Sequence, residues 1–405
     1  MPFRIALSGL NAASSDLNVT ANNIANANTY GFKSSRAEFA EVFAAGSGSL
    51  ATSVSGSGVR MTGVSQAFSQ GNVDFTNNAL DMAIGGEGFF TLLDGGSRAY
   101  TRAGNFSVDR EGFVVNPKGA RLQGFPPADN DSFNTGLLTD MRVLVGTNAP
   151  SETTLAEIGV NLPAAAEQPT NPVFDPDDPA SYNHTTSTTI YDSLGAAHTA
   201  TFYYIKDVGN NEWLAETYID GSPVGPAQPL IFDSEGQITT PAGGQVTLPA
   251  FPTGTGSDDI NLTVNYNDTT QFGEQFAVNS LIQDGFTTGR LIGLEVGTTG
   301  VLFARFTNGQ SSSLGKVALA NFANPNGLGQ RGDTLWSESF ESGSVVLGEA
   351  GTSSFGLIQS GALEASNVDL TAQLVNMITA QRNFQANAQM ITTADQVTST
   401  VLNIR

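Results

Sequence analysis

The residue types that do chemistry are sparse in this chain, and none of them completes a catalytic or ligand-binding constellation. Cysteine is absent, which removes disulfides and thiolate metal sites. The two histidines, His184 and His198, are too few for a His-rich metal centre and read as surface or strand residues. Gly85-Gly86-Glu87-Gly88 lacks the spacing of a dinucleotide fingerprint and a following helix, and no Lys-Ser/Thr closes a phosphate loop. Asp175-Pro176-Asp177-Asp178 offers carboxylates to calcium, but two prolines restrict the loop and the ligand pattern is incomplete, so it reads as a solvated turn. No carboxylate pair stands out for glycoside hydrolysis. Arg331-Gly332-Asp333 reads as a polar turn, and the Asn-x-Ser/Thr sites at Asn105 and Asn261 matter only in a compartment that glycosylates. No catalytic residue, cofactor site or metal ligand is expected, and the chain reads as non-enzymatic.

Charge is more informative than any motif. The 405 residues carry a net charge of −21, which argues against a nucleic-acid partner, since phosphates call for a basic face. Between Val145 and Phe286 eighteen Asp and Glu stand against one Lys, Lys206, and no Arg, so that stretch holds −17 of the total. A segment of this kind faces solvent and repels itself, whereas the nearly neutral remainder is free to pack against copies of itself. Hydrophobic residues make up 40% and charged residues 14%, the balance of a folded chain. No apolar run approaches the roughly 20 residues that cross a bilayer. The first residues contain Arg4 but no continuous apolar stretch before a small-residue site, so no cleaved signal peptide is expected.

The two ends share a pattern that the middle lacks. Phe3, Leu7, Leu10, Ser14, Leu17, Ala21 and Ile24 fall on alternating steps of three and four, the spacing of a coiled-coil seam. Leu370, Leu374, Met377, Gln381, Phe384, Ala388, Ile391, Asp395, Thr398 and Leu402 repeat it, which predicts a helix over 366–404 about 55–60 Å long. Charged side chains are nearly missing from both segments: Arg4 and Asp16 in the first, Asp369, Arg382, Asp395 and Arg405 in the second. Water-facing helices ordinarily carry more charge. The apolar positions Leu7, Leu10, Leu17, Ile24, Leu370, Leu374, Met377, Phe384, Ile391 and Leu402 are therefore expected to meet other helices, those of neighbouring copies included.

Residues 44–63 are rich in Gly and Ser and read as a linker. From Val73 onward short β-like runs alternate with turn signals, among them Asp94-Gly95-Gly96, Asp109 to Gly112 and Asn308-Gly309. The acidic stretch is all-β by pattern and is expected to form a sandwich or barrel. The fold class expected is multidomain α+β, with long terminal helices in a coiled coil and two nested β domains. The boundaries read as a helical domain at 1–28 and 364–405, a linker region at 29–72 and 357–363, a split β domain at 73–144 and 287–356, and an inserted outer domain at 145–286.

Residues 8–39 resemble the N-terminal motif of the bacterial flagellar rod, hook and hook-associated axial proteins. The motif's core is matched by Asn22, Asn23, Ile24 and Asn26 and by Gly31, Phe32 and Lys33. Residues 366–404, with Gln381, Arg382 and Phe384, look like the family's closing motif, and stretches around 70–90 and 100–124 resemble its shared β domain. Rod subunits are shorter and lack a large insert, so length points to the member that builds the hook.

The resemblance implies a helical homopolymer with the terminal helices in an inner tube, the split β domain as a middle shell and the insert outermost. It implies an extracellular place on the flagellum, reached through the flagellar type III export apparatus. It also implies the distal rod, hook cap and hook–filament junction proteins as partners, with no cofactor and no membrane insertion. Bending is expected at the linker, around Ser53, Gly56 and Gly58, and at the crossings near Val145 and Phe286. Two other readings are a distal rod or hook–filament junction protein, and a surface carbohydrate-binding adhesin that uses the insert.

Overall fold

In the computed structural model the described residues are 2–42, 56–128, 132–143, 146–352 and 354–403. The chain divides into two compact units, one of residues 1–145, 293–304 and 311–405, the other of 146–292 and 305–310. Along the chain a helix stands at each end of a largely β middle, the class that the residue patterns predict.

The first unit begins with α1 (Pro2–Ala25) and ends with α2 (Leu370–Asn403). The second helix is shorter than the predicted 366–404, about 51 Å at 1.5 Å per residue. Its start is set by Asp369, whose Oδ1 accepts the backbone N–H groups of Thr371 (2.8 Å) and Ala372 (3.1 Å). These are donors that the first turn leaves without partners, and the carboxylate also suits the positive end of the helix dipole.

The region read as a linker holds paired strands on either side of residues 43–55, which lie outside the described residues. β1 (Ser35–Glu41) and β2 (Val59–Gln66) form an antiparallel ribbon, with Ser35 opposite Gln66 and Glu41 opposite Val59. At 357–363 the strand Leu357–Ser360 pairs with Met82–Gly85, and Ala362–Glu364 pairs with Val73–Phe75. Glycine and serine obscured these runs because β-forming residues such as Phe39, Thr62 and Val64 are few and widely spaced there.

The core of this unit is a sheet ordered Ser311–Asn321, Arg121–Phe125, Phe89–Asp94, Ser97–Thr101, Leu335–Ser337 and Gly329–Gly332. Phe68, Phe89, Tyr100, Phe322 and Trp336 pack edge to face on it, with ring centroids 4.8–6.0 Å apart, an arrangement favoured by the ring quadrupoles. The predicted turn at Asp94-Gly95-Gly96 joins Phe89–Asp94 to Ser97–Thr101, and both glycines have positive φ, which a two-residue hairpin needs.

The second unit is a β sandwich. One sheet runs His184–Tyr191, Ala197–Lys206, Glu212–Ile219, Gln228–Phe232, Ile238–Thr240; the other is built around Leu155–Pro163. Inward positions alternate along Ala197–Lys206, giving His198, Ala200, Phe202, Tyr204 and Lys206. Of these, Ala200, Phe202 and Tyr204 make one closed core with Trp213, Ile190, Leu230 and the opposite sheet's Ile158, Val160 and Leu162.

Candidate functional site: the helix pair and its root

α1 and α2 pack antiparallel. Asn23 faces Gln373, with Asn23 Nδ2 donating to Gln373 Oε1 at 3.2 Å, and near the other end a Cβ on Gly9 would lie 2.5 Å from the Asn387 side chain. The shared seam is made of small residues more than of the large predicted ones. Ala6, Ala13 and Thr20, seven apart, are buried on α1, and Ala380 on α2. Gln373, Met377, Phe384, Asn387, Ala388, Ile391 and Ala394 are half-buried along the same face. Small side chains let the two backbones approach closely, so they win the centre of the contact over Leu and Phe.

The predicted interface residues therefore divide. Leu10, Leu17, Ile24, Met377, Phe384 and Ile391 are half-buried, covered in part by the partner helix. Leu7, Leu370 and Leu374 are exposed, as are Phe3, Ile5, Val375, Ile378, Met390 and Val397, which were not all expected. The side chain of Leu402 lies outside the described residues. Phe3 and the α2 residues Met390, Ala394 and Val397 border an open groove of about 770 Å³.

The helix pair is anchored at its base by motif residues. Asn23 is buried; its Nδ2 donates to Ser35 O (2.7 Å) and its Oδ1 accepts Ser35 N–H (2.8 Å), which fixes the start of β1 against α1. Gly31 has φ +69, and a Cβ there would meet the Ala103 nitrogen at 2.4 Å, so no other residue fits. Lys33 and Glu364, both with 0% side-chain exposure, pair at 2.6 Å. The Lys33 ammonium also donates to Ser69 O at 2.8 Å, and Glu364 Oε1 accepts Gly71 N–H at 2.9 Å. Arg102 approaches Glu364 Oε2 at 3.5 Å and donates to Gly86 O at 2.6 Å.

Burial pushes the Lys33 ammonium below its ordinary pKa, against the pull of Glu364; burial likewise lowers Arg102. One carboxylate thus gathers a cation from the N-terminal segment and another from the β core. Asn367 adds a second clamp: its Oδ1 accepts Ser34 N–H (2.7 Å) and its Nδ2 donates to Ala67 O (2.8 Å). Glu364, Arg102 and Asn367 escaped the sequence reading because their partners lie hundreds of positions away, and a lone charged residue in a β-rich segment carries no local signal.

Of the other motif residues, Phe32 is half-buried, Asn26 donates its side-chain N–H to Asn22 O at 2.9 Å, and Asn22, Gln381 and Arg382 are exposed. Of the predicted bending positions, Ser53 and Val145 lie outside the described residues. Gly56 is exposed with open space around it, whereas a Cβ on Gly58 would strike Ser8 Oγ at 2.2 Å, so Gly58 packs on α1. Phe286 is bridged to Ser151 by two backbone hydrogen bonds, 2.9 and 3.0 Å.

The residues with chemical promise take structural positions. His184 stacks on Phe276 with ring centroids 4.4 Å apart. His198 Nδ1 lies 2.6 Å from Asp220 Oδ2, and its Nε2 lies 3.5 Å from Asp192 Oδ2. Asp175 to Asp178 form a turn in which Asp178 accepts Asn171 Nδ2 (2.9 Å) and Ala180 N–H (2.9 Å). Arg331 and Asp333 bond to Asp94 and Lys118 respectively. Lys206, the one base between 145 and 286, donates to the carbonyls of Asp207, Gly209 and Glu212 and so closes a turn. Among the described residues no group of His, Asp and Glu is arranged to hold a metal ion.

Comparison with known proteins places this geometry in context. Residues 3–33 match the family described as Flagella basal body rod protein and residues 359–404 the Flagellar basal body rod FlgEFG protein C-terminal family. Residues 83–169 match the Flagellar hook protein FlgE/F/G D1 domain, and residues 161–286 the Flagellar basal body protein FlaE D2 domain. Over the full length of both chains, the sequence is 38% identical to the flagellar hook protein FlgE of Salmonella typhimurium and 37% identical to that of Escherichia coli. It is 32% identical to that of Borreliella burgdorferi over 98% of each chain. The crystal structure of the Helicobacter pylori flagellar hook protein FlgE2 is similar in fold, with a TM-score of 0.55 at 16% identity, over 72% of this chain and 100% of that one.

Proposed function

The chain belongs to the flagellar hook protein family, and from that premise we propose that it polymerises through the surfaces its terminal helices leave uncovered. The product is the hook, the flexible curved tube that passes motor torque to the filament. The observation that carries this reading is the one-sided burial of the helix pair. One stripe of each helix is covered by the other, while Phe3, Leu7, Leu374, Ile378 and Val397 stay exposed on helices almost devoid of charge. Burying each such side chain fully contributes about 1.5–3 kcal/mol, and neighbouring copies supply the matching surface.

In the assembled tube residues 1–28 and 364–405 form the inner layer, 73–144 and 287–356 the middle, and the acidic 145–286 the outside. Compliance is assigned to the stretch before Gly58, around Gly56, which has open space about it, because Gly58 is already seated on α1. The reading extends to the distal rod, hook cap and hook–filament junction proteins as neighbours, and to export through the flagellar channel without a cleaved signal peptide. It assigns no catalysis. No described helix is long and apolar enough to cross a membrane, and the −21 charge disfavours nucleic acid.

Leu7→Asp and Leu374→Asp test the reading, since both side chains are exposed and neither substitution disturbs the seam. Each variant should keep the monomer's secondary structure and melting behaviour while tube formation, followed by electron microscopy, is lost. Tubes forming at the wild-type rate would reject the assignment. Replacing residues 53–57 with a Pro-rich segment should give straight hooks; normally curved ones would remove that stretch from the bending mechanism.

A further inference from the structure

The helix pair holds so few charges that each one has to be explained. Within α1 and α2 they are Arg4, Asp16, Arg382 and Asp395. None of the four has an ion-pair partner within 4.0 Å among the described residues. Asp16 is half-buried, and burial holds its carboxyl above the ordinary range. It lines a polar cleft of about 410 Å³ together with Thr20, Gln373, Asn376 and the pair Arg36 and Glu38, in which Arg36 is engaged by Glu38 at 3.2 Å and not by Asp16. Arg4 stands in the first turn of α1, at the positive end of the helix dipole, and no acidic residue accompanies it there; a cation in that place is unfavourable without an external acid.

The antiparallel alignment ranks these charges by height. Residue 9 faces 387 and residue 23 faces 373, so Asp16 lies about 3 Å in height from Arg382, and Arg4 about 4–5 Å from Asp395. Within one subunit these groups stay unpaired, because both arginines are exposed on the face away from the seam. A parallel neighbour can pair all four in either of two registers. An offset of about 3–5 Å brings Asp16 to Arg382 and Arg4 to Asp395 of the next copy. An offset of about 18–20 Å brings Asp16 to Arg4 and Arg382 to Asp395.

We propose that the four charges of the helix pair are matched between neighbouring copies of this chain, each carboxylate receiving an arginine from the next subunit, and that this matching sets the axial offset between subunits. The inference rests on the reading of the chain as a polymer subunit. With Arg36 of the same cleft taken by Glu38, Asp16 is left for an arginine of a second copy, and two acids and two bases at compatible spacings point to that occupant.

Charge reversal in the full-length protein tests it. Asp16→Arg should slow tube formation at least tenfold at low ionic strength, while circular dichroism and thermal melting of the monomer stay unchanged. Adding Arg382→Asp should restore assembly if the offset is the small one, and adding Arg4→Asp should restore it if the offset is the large one; either rescue supports the proposal. Assembly of Asp16→Arg at the wild-type rate, or rescue by neither second substitution in folded double variants, overturns it and leaves the polymer reading standing. Failure of the wild-type chain to form tubes removes both.

Discussion

The sandwich of residues 146–292 and the terminal helix pair solve the problem of stability in opposite ways. The sandwich carries almost all of the negative charge, yet it closes its own core: Trp213, Tyr204, Phe202 and Tyr266 are essentially inaccessible to water. Its carboxylates sit mostly on outward strand positions and turns, and Lys206, the one lysine or arginine between 145 and 286, is spent on tying a loop. The helix pair carries almost no charge, covers a single stripe with alanines, and leaves leucine, valine, isoleucine and phenylalanine in water. A domain that faces solvent needs polar outer positions, whereas a helix meant to be surrounded by other helices needs none. The contrast separates a part that closes its own core from a part that leaves an apolar surface open.

The strongest way to break that comparison is at the root, where the helix pair depends on the β core. Glu364→Ala leaves Lys33 and Arg102 buried without their shared carboxylate, an error that costs about 3–5 kcal/mol. Denaturant unfolding followed by hydrogen exchange should show the loss in the first unit and unchanged protection in residues 184–232. Next in size, Gly31→Ala forces a side chain into the Ala103 backbone at a left-handed φ, with a cost of about 1–3 kcal/mol or more, again confined to the first unit. Asp369→Ala removes the cap of α2 and should cost about 1 kcal/mol, seen as fraying of the first turn in amide exchange.

The smallest effect sharpens the comparison from the other side. Burial keeps the His184 imidazole below its ordinary value of 6.5, so the unfolded chain takes up the proton more readily than the folded one. The contribution of His184 to stability is therefore fully present above pH 6.5 and is lost as the pH falls through that value and on through the folded pKa. His184→Phe should flatten this part of the stability–pH curve, read by thermal melting of the second unit, and leave the helix pair unaffected. An unchanged slope would mean that another group titrates.

Much of the architecture was legible along the chain because it follows local rules. The period of three and four marked both terminal helices, alternation marked strands such as Ala197–Lys206, and glycine pairs marked turns such as Gly95-Gly96. Residues 357–363 and the ribbon at 35–66 were less legible, since their strands are short and become stable only through partners elsewhere. The centre of the contact within the chain was not legible for a related reason: an a/d pattern locates an apolar stripe, but how closely two backbones approach depends on Gly9, Ala6, Ala13 and Ala380, which look unremarkable in a row of small residues.

Local sequence determined the element types, the unequal sharing of charge and the motif positions that mark the family. Tertiary structure decided which apolar residues are covered within the chain and which stay free, and it decided that Lys33 meets Glu364 across 331 positions. The physical reason is one of range. Helical period and turn chemistry act over a few neighbours, whereas burial of a charge or a leucine is a property of everything that surrounds it in space, and only the folded chain settles those neighbours.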